Sequence, residues 1–391
     1  MNSHNYTIAK LNHKRRIYSL NDKELDADYR DLAKVLKRTF THSSNRNRSL
    51  NQVVRALTPR LYNMNNQGHY YVTDLEKTVI RGDIQSFFPS VNKHLLYKKI
   101  MHSNRLTLNK DQRKLLSDML FDPNFAGIPQ GLAISSVFAE IYLEEFDKLM
   151  KLTFSECIYI RYVDDFLLIC PTALKYKYNF SDVISKLLSK YQLTLSESKF
   201  SVIPFEQSKQ FTFLGYHFRH EDKSMIIEID DSKIAKLQKR INSYFYDYLK
   251  FNSSFEKLYL RLKNIFFGVT TLGPTTLIKQ HQGIPYSYPH ITSFQNIQFL
   301  INNIEYQLKK CINLNSIELK KIRKLYFPYT HFDPKKSEAV QILLKQRYNY
   351  LNLSINQIVY LLRALDSSFV YKKQSKSSLI HLLFFLLYQS K

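Results

Sequence analysis

The chain has 391 residues, with 57 Lys or Arg against 33 Asp or Glu for a net charge of +24. That length allows a large core and two or three domains, and the charge favours a polyanionic partner, most simply nucleic acid. Three cysteines, Cys157, Cys170 and Cys311, are odd in number and lack metal-ligand spacing, which argues against a disulfide framework, and the two that flank the Tyr159 to Ile169 stretch, Cys157 and Cys170, read as small core residues of a reducing compartment.

Residues 1–230 carry 33 basic and 25 acidic side chains, and residues 231–391 carry 24 and 8. Acid gathers in the first part, where chemistry is expected, and the second part suits a grip on phosphates; a basic solvated surface is the plainer alternative. The N-terminal stretch lacks the apolar segment of a signal peptide. The longest late apolar run, Leu379 to Tyr388, is far short of the roughly 20 residues a membrane helix needs, so a cytoplasmic protein without membrane contact is expected.

In chain order, Asp26 to Phe40 has the helical spacing of Leu32, Val35 and Leu36. Thr41 to Asn51, polar and basic with Arg46 and Arg48, is expected as a loop, either a phosphate contact or ordinary solvated chain. Val79 to Ile84 reads as a buried strand, which leaves Asp83 as a charge at the end of an apolar run, in need of a partner or a metal. Phe87 and Phe88 follow, and Pro89 ends the run ahead of a helix near Asn92 to His102.

Gly127-Ile128-Pro129-Gln130-Gly131 leads into a helix that runs to about Met150. Its glycines permit close approach of backbone to a ligand and the helix start offers free N–H groups; an ordinary Gly-Pro turn explains the same residues. On that helix Val137, Phe138, Ile141 and Tyr142 are assigned to the core, and Glu140, Glu144 and Glu145 to water. Tyr159 to Ile169 places two β-rich apolar runs around Asp164 and Asp165, a tight hairpin with both carboxylates at its turn. Adjacent like charges repel, and a divalent cation is the readiest compensation; a solvated acidic turn is the plain alternative. Arg161 reads equally as a brace of the hairpin and as catalytic support.

After Phe218 the composition shifts. Glu228 to Asp231 reads as a boundary and Lys233 to Ile241 as the start of a basic amphipathic helix, with aromatics interleaved through Lys263. Gly273-Pro274 and Gly283 to His290 read as loops. Residues 291–391 read as helical again, closing on an apolar helix at Leu379 to Tyr388.

Three of these stretches, in this order and spacing, resemble the palm motifs of reverse transcriptases. They are Asp83-Ile84-Gln85-Ser86-Phe87-Phe88, then Gly127 to Gly131 followed by Ser135, then Tyr162-Val163-Asp164-Asp165. Leu193 to Lys199 is similar to the motif that follows, with its lysine, and Phe213-Leu214-Gly215-Tyr216 to the hairpin that grips the primer. The resemblance implies an α+β right-hand polymerase with shortened fingers, an antiparallel-sheet palm and a mainly helical thumb and C-terminal extension. Residues 1–76 would be the N-terminal fingers segment, 77–230 the palm with fingers insertions, 231–290 the thumb and 291–391 the extension.

The implied activity is RNA-directed DNA synthesis, in which a primer 3′ hydroxyl attacks a dNTP and two Mg²⁺ ions, with Mn²⁺ as a substitute, stabilise the entering and leaving oxygens. Under the resemblance Asp83, Asp164 and Asp165 are the catalytic carboxylates and, with the Ile84 carbonyl, the metal ligands. Phe88 matches the gate against a ribose 2′ hydroxyl, and Gln130 and Gly131 line the nucleotide pocket. Tyr162, Val163, Leu214 and Gly215 face primer and template. Lys199 meets charge developing on the pyrophosphate, or is a solvated lysine. The basic fingers motifs ahead of Asp83 are not recognisable, and Arg55 and Arg60 are the candidates for that task.

Compact size and a helical extension are similar to the stand-alone bacterial reverse transcriptases of phage defence. The implied partners are an RNA template or dedicated noncoding RNA, a DNA primer or product, and a second copy or second polymerase subunit. Template-independent or protein-primed synthesis at the same site is an alternative. So are a retroelement or intron enzyme, which would call for an endonuclease module that the sequence lacks, and a non-catalytic RNA-binding scaffold, against which the three aspartates speak. A palm-fold nucleotide cyclase leaves Gly127 to Gly131 unexplained.

Overall fold

The computed structural model describes residues 6–11, 15–40, 46–57, 61–63, 70–72, 77–104, 106–205, 209–221, 224–273, 277–327 and 337–389. The chain divides into two compact units, Met1–Lys209 with Asp222–Ser224, and Gln210–Glu221 with Met225–Lys391.

In the first unit β1 (Tyr6–Leu11) and β2 (Arg15–Leu20) form an antiparallel hairpin. Helix α1 (Lys23–Phe40) buries Tyr29, Leu32, Ala33 and Leu36, a stripe at helical spacing. Helix α2 (Arg46–Leu57) corrects the loop expected there: Leu50, Val53 and Leu57 recur on one face and are buried, and Arg46 and Arg48 ride on the helix. The surrounding polar residues masked a three- and four-residue repeat. Residues 41–45 lie outside the described residues. A short ladder pairs β3 (Leu61–Asn63) with β4 (Tyr70–Val72).

The central sheet of this unit is built from β5 (Lys77–Asp83), β6 (Ile158–Tyr162), β7 (Asp165–Pro171) and β8 (Ser201–Phe205). Its order is β6-β7-β5-β8 and every pairing is antiparallel. The long connection from β5 to β6 carries α3 (Phe87–Ser90), α4 (Lys93–Met101), α5 (Lys110–Leu120) and α6 (Ala133–Thr153), and α7 (Phe180–Ser189) follows β7. The starts of α4 and α5 are set by Asn92 and Asn109, whose side chains accept N–H bonds from Leu95 and Gln112.

Helix α6 is the main core element. Its Ile134, Val137, Phe138, Ile141, Tyr142 and Phe146 share one cluster with Ile80 of β5 and with Phe166, Leu168 and Cys170 of β7. The alternate residues Leu167 and Ile169 are buried outside that cluster, as the two-residue period of a strand covered on both faces requires. Phe146 is fully buried, with the rings of Tyr159, Phe166 and Tyr191 at 6.2 to 6.4 Å. Its truncation to alanine would cost about 3–5 kcal/mol.

Cys157 and Cys170 are disulfide-bonded with their Cα atoms 4.4 Å apart, which corrects the reading of both as free core thiols. The pair stands one step beyond Ile158↔Ile169 in the β6–β7 register, so strand pairing itself brings the two side chains together. Cys311 is free and buried.

In the second unit β9 (Gln210–Phe213), β10 (Tyr216–Glu221) and β11 (Ser224–Ile229) form a three-stranded sheet in the order β11-β10-β9. Helices α8 (Asp231–Phe251) and α9 (Phe255–Phe266) follow, capped by Asp230 and Ser254. The chain then forms β12 (Gly268–Leu272), β13 (Lys279–Gln282), a single turn α10 (Ile284–Ser287), α11 (Gln295–Leu308), α12 (Ser316–Arg323), α13 (Ser337–Lys345), β14 (Arg347–Asn349), α14 (Ile355–Leu365) and α15 (Lys376–Tyr388). Strand β14 pairs parallel to β12, so a strand interrupts the segment read as wholly helical; three residues are too few to display a period.

The apolar α15 buries Leu379, Ile380, Leu383 and Leu387. Its end is fastened by Arg261 of α9, which is buried, donates to the Leu387 carbonyl at 2.5 Å and pairs with Asp247 at 2.6 Å. Among the described residues no helix is long and apolar enough to cross a membrane.

Candidate active site

The site begins with strand pairing. Antiparallel β5 and β7 stand side by side, and their register puts Asp83 directly opposite Asp165. Strand β6 reaches the same end, where Tyr162 pairs with Asp165 and leaves Val163 and Asp164 as a two-residue loop. Carboxylate oxygens of Asp83, Asp164 and Asp165 consequently lie within 4.8 Å of one another. Close pairing is possible because Gly82 has no side chain: a Cβ there would lie 2.1 Å from Cζ of Phe166.

Backbone bonds fix the junction. The Ile84 amide donates to the Asp164 carbonyl at 3.3 Å, the Ser196 amide to the Asp83 carbonyl at 2.8 Å, and the Gln85 amide to the Thr194 carbonyl at 2.9 Å. The carbonyl of Ile84 takes part in none of these three bonds.

Electrostatically the cluster carries excess negative charge. Burial, then the Asp164 and Asp83 carboxylates, raise the Asp165 carboxyl to about 6, and Arg81 and Lys199 oppose them. Lys199 Nζ lies 2.7 Å from Asp83 Oδ2, with the lysine half exposed and the aspartate buried. Arg81, two residues before Asp83, is a contributor that reading the motifs missed; its position on the same strand face is the signal that marks it.

Three convergent carboxylates beside Lys199 are a hard-oxygen donor set, and they fit Mg²⁺ or Mn²⁺. Asp83, Asp164 and Asp165 would hold the cations.

The glycine loop adjoins Phe88. The Ile128 amide donates to the Phe88 carbonyl at 2.9 Å, and a Cβ on Gly127 would lie 2.2 Å from that oxygen. Ser86 at φ 46 turns the chain into α3, and Phe88, half buried, packs edge-on against Phe87 at 5.5 Å. Strand β2 covers the other side of the loop: the Tyr18 amide donates to the Gln130 carbonyl at 2.8 Å. Gly131 has φ +112 and its Cβ would lie 2.6 Å from the Tyr18 carbonyl. Ser135 is buried within α6.

Leu214 and Gly215, at φ 49 and 80, form the β9–β10 turn in the second unit. Arg55 is exposed on α2, and Arg60 lies outside the described residues. Glu140, assigned to water, instead accepts hydrogen bonds from buried Arg161 at 3.0 and 3.2 Å, together with Asp147. Acids seven residues apart on a helix with a buried face were the signal for this pair.

The family model described as reverse transcriptase (RNA-dependent DNA polymerase) matches residues 8–218. No curated protein matches the chain. Among solved structures, the chain is similar to apo telomerase from Candida tropicalis at 15% identity over 93% of this chain and 59% of that one, with a TM-score of 0.39. A form of that telomerase truncated of its C-terminal domain matches at 19% identity over 53% of this chain and 44% of that one, TM-score 0.35. Telomerase from Candida albicans in complex with a fragment of telomeric RNA matches at 15% identity over 83% and 57%, TM-score 0.34. The chain thus spans about half the length of the telomerases it matches.

Proposed function

The chain belongs to the reverse transcriptase (RNA-dependent DNA polymerase) family, and on that premise we propose that it extends a DNA primer with dNTPs on an RNA template. The observation that carries this reading is the convergence of Asp83, Asp164 and Asp165, from two separate motifs, within 4.8 Å. Asp83, Asp164 and Asp165 would hold divalent cations, which would supply Lewis acidity to an in-line displacement at phosphorus.

The chain's own residues do the rest. Lys199, already beside Asp83, places a positive charge where the pyrophosphate gathers negative charge. Phe88 closes the space that a ribose 2′ hydroxyl would fill and so favours deoxynucleotides. Gln130 and Gly131 line the nucleotide pocket, with Gly131 held in place by the strand that covers it. Tyr162 and Val163 support the primer end, and Leu214 and Gly215 grip primer and template from their own hairpin. In this reading the second unit contributes the thumb, and its surplus of Lys and Arg binds backbone phosphates.

At the finer level we place the protein among bacterial enzymes of phage defence that work with a noncoding RNA, a reading supported by the basic C-terminal half. The chemistry is tested by primer extension on poly(rA)/oligo(dT) with Mg²⁺. Incorporation is expected from the native chain and none from Asp164→Asn/Asp165→Asn, which should still bind the duplex; undiminished incorporation by that variant would remove the assignment. Sequencing RNA and attached DNA copurified from the native host tests the finer level.

A further inference from the structure

Arg161, which the sequence leaves open between a brace of the hairpin and catalytic support, makes five side-chain hydrogen bonds. It stands on β6 immediately before the Tyr162–Asp165 turn, with its side chain only 4% exposed. A guanidinium so enclosed must fill its donors. Nε and Nη2 reach the two oxygens of Asp147 at 2.7 and 2.6 Å, and Nη1 and Nη2 reach Glu140 at 3.2 and 3.0 Å. Nη1 also donates to the Val163 carbonyl at 2.9 Å. Tyr159 shares Asp147 at 2.8 Å, and Ser49 of α2 donates to the Arg161 carbonyl at 3.0 Å. The arginine is thus tied to α6 on one side and to the turn on the other.

The turn is where strain collects. Val163 has φ +57, a left-handed conformation in which a β-branched residue is an outlier. A two-residue hairpin loop demands positive φ at this position, and glycine or asparagine meets the demand without strain. Here valine does so, one residue before Asp164, with its carbonyl bound by Arg161.

We infer that Arg161 is a positioning residue: anchored on Glu140 and Asp147, it holds the Val163 carbonyl and thereby keeps Asp164 and Asp165 at the separation at which they and Asp83 take divalent cations. The inference rests on the polymerase reading of that cluster. A core ion pair serving stability alone would use the same acids but would have no need of the Val163 carbonyl.

The test is a cycle of four full-length chains: native, Arg161→Lys, Val163→Gly and the double variant. Mn²⁺ binding is followed by electron paramagnetic resonance of the free ion, and thermal unfolding is recorded alongside. Lysine cannot reproduce the fork, so Arg161→Lys should weaken Mn²⁺ binding by about tenfold or more when its geometry is lost. Glycine relieves the strained turn, so with Val163→Gly present the same arginine change should cost about threefold or less.

Two results would overturn the positioning role. One is unchanged Mn²⁺ affinity of folded Arg161→Lys; the other is an equal loss from Arg161→Lys with and without Val163→Gly. A native chain that binds no Mn²⁺ would instead sink the polymerase reading itself. Should Arg161→Lys fail to fold, Arg161→Gln/Glu140→Gln/Asp147→Asn leaves no buried charge unpaired and enters the same cycle, with the same expected and overturning results.

Discussion

Asp83 and Asp165 are direct partners in the β5–β7 register, the last pair before the two strands part. The register sets two carboxylates side by side and a third one residue away, an arrangement that is costly without a counter-ion. Its energetic consequence runs through Asp165, whose carboxyl is raised to about 6 by burial and by its two acidic neighbours. With a folded value above the unfolded one, its stabilising contribution is present in full below about pH 4 and is lost as pH rises past about 6.

Asp165→Asn is therefore expected to raise the unfolding temperature of the metal-free protein at pH 7.5, by an energy of at most about 3 kcal/mol. Near pH 4 the variant and the native chain should unfold together. Adding Mg²⁺ at pH 7.5 should stabilise the native chain more than the variant. Calorimetric scans at the two pH values check this, and equal midpoints at pH 7.5 without metal would contradict the repulsion described.

Lys199 is half exposed, but its partner Asp83, 2.7 Å away, is buried, so removing the lysine leaves a buried carboxylate without its cation. Lys199→Met should lower the stability of the metal-free protein in urea by about 1–3 kcal/mol, an effect that Mg²⁺ reduces, and with Mg²⁺ present should lower kcat for dNTP addition by about tenfold or more, with little change in primer–template affinity. Single-turnover incorporation measures the effect; a variant with native kcat would return Lys199 to the status of a surface lysine.

Gly82 faces the ring of Phe166 at a distance no side chain tolerates. Gly82→Ala should destabilise the first unit by about 1–3 kcal/mol or more. In a Phe166→Leu background the same change should cost less. A double-mutant cycle by urea unfolding reads the coupling, and additive effects would mean that the two residues are not in contact.

Phe88 is half buried beside the glycine loop, with its carbonyl bonded to the Ile128 amide. Phe88→Ala should raise the efficiency of rNTP use relative to dNTP use by about tenfold or more, since rejection of one hydroxyl by a steric wall amounts to a few kcal/mol. Competitive incorporation of ATP and dATP checks the ratio; an unaltered preference would end the gate role.

Much of the site was legible in the chain because its ingredients are local. An apolar run ending in Asp83, a Gly-Ile-Pro-Gln-Gly turn ahead of a helix, and two β-rich segments around Asp164 and Asp165 each declare an element within a dozen residues. Helix and strand periods then place these residues at element ends and turns. The repeat of Leu50, Val53 and Leu57 was equally local, but polar neighbours hid it.

The sequence by itself determined which residues are acidic, which turns are tight and which segments must be covered. Only the tertiary structure decided that β5 lies between β7 and β8, that Asp83 meets Asp165, that Cys157 finds Cys170, and that Glu140 turns inward to Arg161. The reason is physical: hydrophobic period is a property of neighbours along the chain, whereas register and ion pairing depend on distances between segments that are fixed only when burial brings the segments together.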